Sequence, residues 1–165
     1  MNTVTENTQL ETITIELAGL KATRELAECL ARIAKPGDVF ALTGDLGTGK
    51  TTFARDFIRA LTDPDEDVPS PTFTLVQTYE GTSGEIWHFD MYRLEHAEEV
   101  FELGLEDALV DGISLIEWPD RMGPYIPRDR LDIRLTVTKG KNHRQVELVP
   151  HNLDWSERLR SCGHG

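Results

Sequence analysis

A chain of 165 residues with 39% hydrophobic side chains has the size of one domain around one packed core. Its 29 Asp and Glu against 17 Lys and Arg leave a net charge of −12 with no basic run to offset it. Autonomous DNA or RNA binding, which depends on neutralising phosphates, is therefore disfavoured. The acidic surface serves solubility or else meets a basic face on a partner. No stretch approaches the roughly 18 consecutive apolar residues of a membrane helix, and Met1–Gln9 is polar with Glu6 as its one charge. The expectation is a cytoplasmic, single-domain protein over residues 1–165, with flexible tails at 1–10 and 160–165. Cys29 and Cys162 stand in no ligand spacing, so neither a disulfide nor a zinc site is expected.

Along the chain, Thr12–Leu17 alternates apolar and polar residues as a strand does. From Thr23, read as an N-cap, Leu26, Cys29, Leu30 and Ile33 recur at helical spacing until Pro36-Gly37 stops the run. Val39–Thr43 is a short β-prone run fit for burial on both sheet faces, and it delivers the chain to Gly44. Phe53, Phe57, Ile58 and Leu61 share one helical face up to Asp63-Pro64, and Asp63–Asp67 is expected as a mobile acidic loop. Phe73–Tyr79 and Ile86–Asp90 flank a turn cluster at 80–84 and predict an antiparallel hairpin.

A helix carrying Leu94, Ala97 and Phe101 is expected to stop near Gly104, with a short amphipathic piece following to Val110. Ile113–Glu117 reads as another buried strand. Strict alternation through Leu131–Val137, resumed at Val146 and Leu148 after a Lys139–Asn142 turn, predicts a second hairpin at a sheet edge. Leu153–Leu159 is expected as a terminal helix.

Chemistry concentrates at Gly44–Thr51, which matches G-x-x-x-x-G-K-[ST] between a buried strand and an amphipathic helix. The glycines admit positive φ, so that successive amides converge on a β-phosphate at the positive end of the following helix. Lys50 bridges β- and γ-phosphates as a point charge, and the Thr51 hydroxyl reaches Mg²⁺. The candidate nucleotide-binding residues are Asp45, Leu46, Gly47, Thr48, Gly49, Lys50, Thr51 and Thr52.

Hydrolysis also needs a carboxylate at a neighbouring strand end, and both Glu117 and Asp90 close strand-like runs. Glu117 is assigned to the metal together with Thr51, because its strand reads as central. Asp90 is the candidate to order the metal's waters or the attacking water, and on the sequence the roles of the two carboxylates are exchangeable. Lys50, Asp90 and Glu117 are the candidate catalytic set.

Ser70-Pro71-Thr72 is either a γ-phosphate sensor or a plain turn. His88 shares a strand face with Asp90 and is read as packed or surface-exposed rather than a metal ligand. Trp87, Trp118 and Trp155 are read as core or interface aromatics, with Trp118 singled out for its place beside Glu117. Arg93 either approaches the site or pairs with local carboxylates.

Taken together, Gly44–Thr52, Ser70-Pro71-Thr72-Phe73-Thr74-Leu75-Val76, His88-Phe89-Asp90-Met91-Tyr92-Arg93-Leu94 and Leu115-Ile116-Glu117-Trp118-Pro119 resemble the bacterial TsaE family. The resemblance implies a three-layer α/β P-loop domain with a mixed sheet, matching the two hairpins. It also implies an ATPase that serves threonylcarbamoyladenosine synthesis in tRNA, acts with a TsaB–TsaD pair and touches tRNA only indirectly. By the same resemblance Thr51 and Glu117 are associated with Mg²⁺, and Asp90 is the aspartate of the H-F-D-x-Y-R motif. The alternatives are a small-molecule kinase and a nucleotide switch without significant catalysis.

Overall fold

The computed structural model describes residues 10–162. In chain order the elements are β1 (Ile13–Ala18), α1 (Leu20–Ile33), β2 (Val39–Thr43), α2 (Lys50–Leu61), β3 (Val76–Gly81), β4 (Gly84–Asp90), α3 (Leu105–Asp111), β5 (Ile113–Glu117), β6 (Leu131–Val137), β7 (His143–Pro150) and α4 (Leu153–Arg158). The seven strands form one sheet in the order β1-β7-β6-β2-β5-β4-β3. β6, β2, β5 and β4 run parallel through its centre, and β3–β4, β6–β7 and β1–β7 pair antiparallel.

A sheet buried on both faces needs a helical layer on each. On one face Leu26 and Leu30 of α1, with Phe53, Phe57 and Ile58 of α2, pack on Phe40, Leu42, Leu115 and Ile133. On the other face Leu105 and Ala108 of α3 cover Val39, Phe89 and Ile116. α4 closes one end of the first layer. Its buried Trp155 meets Phe40 edge to face, with ring centroids 5.1 Å apart, and Arg158 makes two 2.8 Å bonds to the Asp38 carboxylate. The fold is therefore a three-layer α/β domain with a mixed sheet and two hairpins. Among the described residues no helix is long and apolar enough to cross a membrane.

β2 and β5 take the bounds their apolar runs predicted, and the β3–β4 hairpin forms with Thr82-Ser83 between its strands. Several expectations are corrected. α1 starts one turn earlier than the Thr23 cap, at Gly19 with φ 99°, and Thr23 is a buried helix residue whose hydroxyl donates to Gly19 O at 3.4 Å. Leu20, which opens that turn, is exposed and adds nothing to the apolar stripe.

The β6–β7 hairpin is interior rather than at an edge, because β1 pairs along β7 from Ile13↔Leu148 to Ala18↔His143. The helix expected near Leu94–Gly104 is a single 3-10 turn over Ala97–Phe101, and the exposed Phe101 ring packs against Tyr125. Finally, Cys29 and Cys162 are joined as a disulfide, with Cα atoms 5.8 Å apart across 133 residues of sequence. Spacing alone is blind to such a pair, since α1 and the turn after α4 meet only in the folded chain.

The acidic loop at 63–67 is tied to α2 through bonds from Arg59 to Glu66 O and from Arg55 to Val68 O. Of the expected tails, residues 1–9 and 163–165 lie outside the described residues. Leu159–Ser161 form a 3-10 turn that leads into the bonded Cys162, so the chain up to Cys162 is held to the body.

A crosslink that closes so long a loop stabilises chiefly by restricting the unfolded chain, typically by about 2–4 kcal/mol. Reduction with dithiothreitol, or Cys29→Ser, is expected to lower the urea midpoint by a matching amount; an unchanged midpoint would show that the crosslink contributes nothing.

Candidate active site

β2 ends at Thr43 and α2 starts at Lys50, so Gly44–Gly49 forms the whole connection. Gly44 must be glycine on steric grounds: a Cβ there would lie 2.6 Å from both Leu135 O and the Thr48 hydroxyl. Gly49 sits in the left-handed region at φ 98° and caps α2, its carbonyl accepting the Phe53 amide at 2.9 Å. The loop thus ends at a helix start, where unpaired amides and the helix dipole favour an anion.

Lys50, the first residue of α2, is only 5% exposed. Its ammonium donates to Gly44 O at 2.7 Å and Asp45 O at 2.9 Å, and lies 4.1 Å from the Trp118 ring centroid. Burial pushes the Lys50 pKa below its ordinary 10.5, against the pull of the Glu117 and Asp90 carboxylates.

Those two carboxylates come from adjacent parallel strands. Asp90 and Glu117 are direct register partners at the ends of β4 and β5, and both are buried. Glu117 Oε1 accepts the Thr51 hydroxyl at 2.8 Å, and its Oε2 lies 2.7 Å from His88 Nε2. With an ionised carboxylate as acceptor, Nε2–H is the donor. Asp90 Oδ1 accepts the Tyr92 amide at 3.0 Å, and Oδ2 accepts the Thr72 hydroxyl at 3.2 Å. Thr72 in turn shares a 2.7 Å hydrogen bond with Ser70. The Ser70–Thr72 turn is thus wired to Asp90.

Trp118, just past β5, has φ 56°. A left-handed backbone is costly for so bulky a residue, and here it accompanies a ring set over the lysine.

A cleft of about 470 Å³ runs across this arrangement, lined by Leu46–Thr52, Thr72, Asp90, Tyr92, Glu117 and Trp118. Of the sequence-predicted residues, Leu46, Gly47, Thr48, Gly49, Lys50, Thr51, Thr52, Asp90 and Glu117 all meet there. Asp45 does not line the cleft and enters through its carbonyl, which binds Thr48 and Lys50. Arg93 stays out of the cleft and stacks on the exposed Phe73 ring, 4.3 Å from its centroid.

His88, which the sequence left as packed or surface-exposed, is fully buried, and its grip on Glu117 was missed; its place two residues before Asp90 on one strand face was the available sign. The rest of the cleft lining, Leu20, Thr23, Leu135, Asn142 and Arg144, was also missed. Arg144, whose Nε donates to Thr48 O at 2.7 Å, had no local signal to mark it.

The family model described as "Threonylcarbamoyl adenosine biosynthesis protein TsaE" matches residues 17–146. The protein of Rickettsia conorii named tRNA threonylcarbamoyladenosine biosynthesis protein TsaE is 46% identical over 82% of this chain and 77% of its own length. The protein of the same name from Bacillus subtilis is 40% identical over 77% of this chain and 78% of its own. Among solved structures, Bacillus subtilis YdiB superimposes with a TM-score of 0.72 at 26% identity, covering 93% of this chain and 95% of that one. The agreement runs from β1 into β7 and takes in the phosphate loop and both carboxylate strands, and by it the chain belongs to the TsaE family.

Proposed function

We propose that this protein binds ATP with Mg²⁺ on Gly44–Thr51 and hydrolyses it in the cytoplasm. In this reading it supports threonylcarbamoyladenosine modification of tRNA together with TsaB and TsaD, without itself gripping the tRNA. The observation that carries the reading is the Thr51 hydroxyl held 2.8 Å from a buried Glu117 carboxylate, beside a buried lysine at a helix start. The name of the relatives supplies the tRNA modification, and the net charge of −12 suits an indirect contact with tRNA.

Mg²⁺ takes hard oxygen donors, commonly one or two carboxylates with substrate phosphates and water. Thr51 and Glu117 offer such a donor set, already turned toward one another, and would hold the ion. When bound, the ion would neutralise charge on the β- and γ-phosphate oxygens.

The remaining work falls to side chains and amides of the chain. Phosphoryl transfer spreads charge over the departing oxygens, so positive charge and alignment carry most of the catalysis. Lys50 gives up its two carbonyl partners for phosphate oxygens, a stronger charge-assisted pairing. Asp90 orients the attacking water, and Thr72 reports γ-phosphate through its bond to Asp90. Within this chain Arg93 is stacked on Phe73 rather than aimed into the cleft. Slow turnover alone and faster turnover with a partner follow from that.

Phosphate release by the isolated protein is expected to rise at least about tenfold when TsaB and TsaD are added. Equal rates would remove the partner from the proposal, and label transferred to a metabolite hydroxyl would make the protein a kinase.

Lys50→Met is expected to weaken ATP binding about a hundredfold, the loss of a charge-assisted contact. The nucleotide-free protein should not melt lower. Because the folded-state pKa of Lys50 lies below 10.5, the unfolded chain binds more protons between those two values, and stability rises with pH through that window. The variant should lose this rise, which thermal melts from neutral pH to pH 10.5 would reveal.

His88→Ala strips Glu117 of a buried donor and should raise the Mg²⁺ concentration for half-maximal ATPase about tenfold. An unchanged Mg²⁺ dependence would assign His88 to packing alone.

A further inference from the structure

Arg144 is a cation set against the phosphate loop without a carboxylate partner. It lies near the start of β7, between Leu17 of β1 and Val137 of β6. Its Nε donates to Thr48 O at 2.7 Å, one Nη reaches Gly47 O at 3.5 Å, and the other folds back on His143 O at 2.9 Å. Among the described residues it makes no ion pair, so its charge is shared between two loop carbonyls and the His143 carbonyl of its own strand.

The geometry of the peptide unit gives this contact a consequence. A trans peptide is planar, with its C=O and N–H pointing in opposite directions. A guanidinium on Thr48 O therefore fixes the plane whose N–H belongs to Gly49 and directs that N–H away from Arg144. The Gly49 N–H donates to no backbone carbonyl within the loop.

Sterics do not hold this plane by themselves. The plane turns on the Thr48 ψ and the Gly49 φ, and Gly49, at φ 98°, is a residue that populates positive and negative φ about equally. A charged donor on the carbonyl also polarises the peptide and makes its N–H a better donor. The same hairpin touches the loop a second time, where Leu135 O fills the space a Gly44 Cβ would need. Thus β6–β7 backs both ends of the loop.

We propose that Arg144 is a positioning residue for polyphosphate: through Thr48 O it holds the Thr48–Gly49 peptide so that the Gly49 N–H faces the phosphates. The inference rests on the reading of Gly44–Thr51 as a nucleotide site and adds a role in binding that acts through the loop rather than through the nucleobase.

The test compares wild type, Arg144→Ala and Arg144→Lys, with Gln145→Ala as a control on the neighbouring exposed side chain, which pairs with Glu16. Affinities for Mg·ATP, Mg·GTP and Mg·tripolyphosphate are measured by displacement of a fluorescent ATP analogue. Arg144→Ala is expected to weaken all three by a common factor of about ten, the loss of a charge-assisted hydrogen bond. Arg144→Lys should recover part of the loss, and Gln145→Ala should match wild type. In nitrogen-resolved NMR spectra of the ATP-bound protein, Arg144→Ala should move the Gly49 amide resonance while those of α1 stay in place.

Weakening confined to the nucleotides, with tripolyphosphate unaffected, would place Arg144 on the nucleoside and overturn the proposal. Unchanged affinities, or a fixed Gly49 resonance, would overturn it as well. A wild-type protein that binds none of the three ligands would instead sink the nucleotide reading beneath it, so the two failures are distinguishable.

Discussion

The site depends on the parallel pairing of β2 with β5, which runs Val39↔Ser114 to Leu42↔Glu117. Each strand hands its chain to a functional group at its C-terminal end: β2 to the phosphate loop and β5 to Glu117. Pairing them in this register brings α2, which follows the loop, close enough for its Thr51 hydroxyl to touch the Glu117 carboxylate. β4 joins on the far side of β5 and sets Asp90 level with Glu117. A slip of one residue in either pairing would turn the carboxylates to the opposite face, away from α2, because side chains alternate along a strand. The apolar contacts of Phe40, Leu42, Ile86 and Leu115 with Phe53 and Phe57 hold that register, so the core and the site are aspects of one arrangement.

The electrostatics of the site follow from the same packing. Two buried carboxylates stand near a buried lysine, and each group has a hydrogen-bond partner: His88 on Glu117, Thr72 on Asp90, and the Gly44 and Asp45 carbonyls on Lys50. Buried charge is costly unless it is hydrogen-bonded, and these partners limit that cost while leaving groups suited to a polyphosphate and a divalent cation. The Lys50 pKa is lowered by burial, and a bound anion would act in the opposite sense.

The two antiparallel hairpins serve the parallel centre differently. β3–β4 sets Asp90 next to Glu117, and the turn before β3 places Thr72 against Asp90, with Leu75 O accepting the Asp90 amide at 2.9 Å. β6–β7 backs the phosphate loop with Leu135 O and Arg144. β1 then covers β7 and takes the sheet edge. The disulfide between Cys29 and Cys162, together with the Asp38–Arg158 pair, fastens the C-terminal segment over the layer that carries α1 and α2.

Much of this was legible in the amino-acid order. The phosphate loop is one contiguous pattern, so Lys50 and Thr51 need no tertiary knowledge, and Val39–Thr43 and Ile113–Glu117 declared themselves as short, mostly apolar runs ending at turns or charge. Asp90 and Glu117 were recognisable because each closes such a run. What the order alone left open was every contact between distant segments: β1 sealing β7, Cys29 meeting Cys162, His88 turning to Glu117, and Arg144 reaching Thr48 from 96 positions away. Periodicity and motifs report which face of an element is apolar and which residues are neighbours along the chain. Strand order, register and side-chain partners are chosen by packing of the whole domain, so only the tertiary structure decided them.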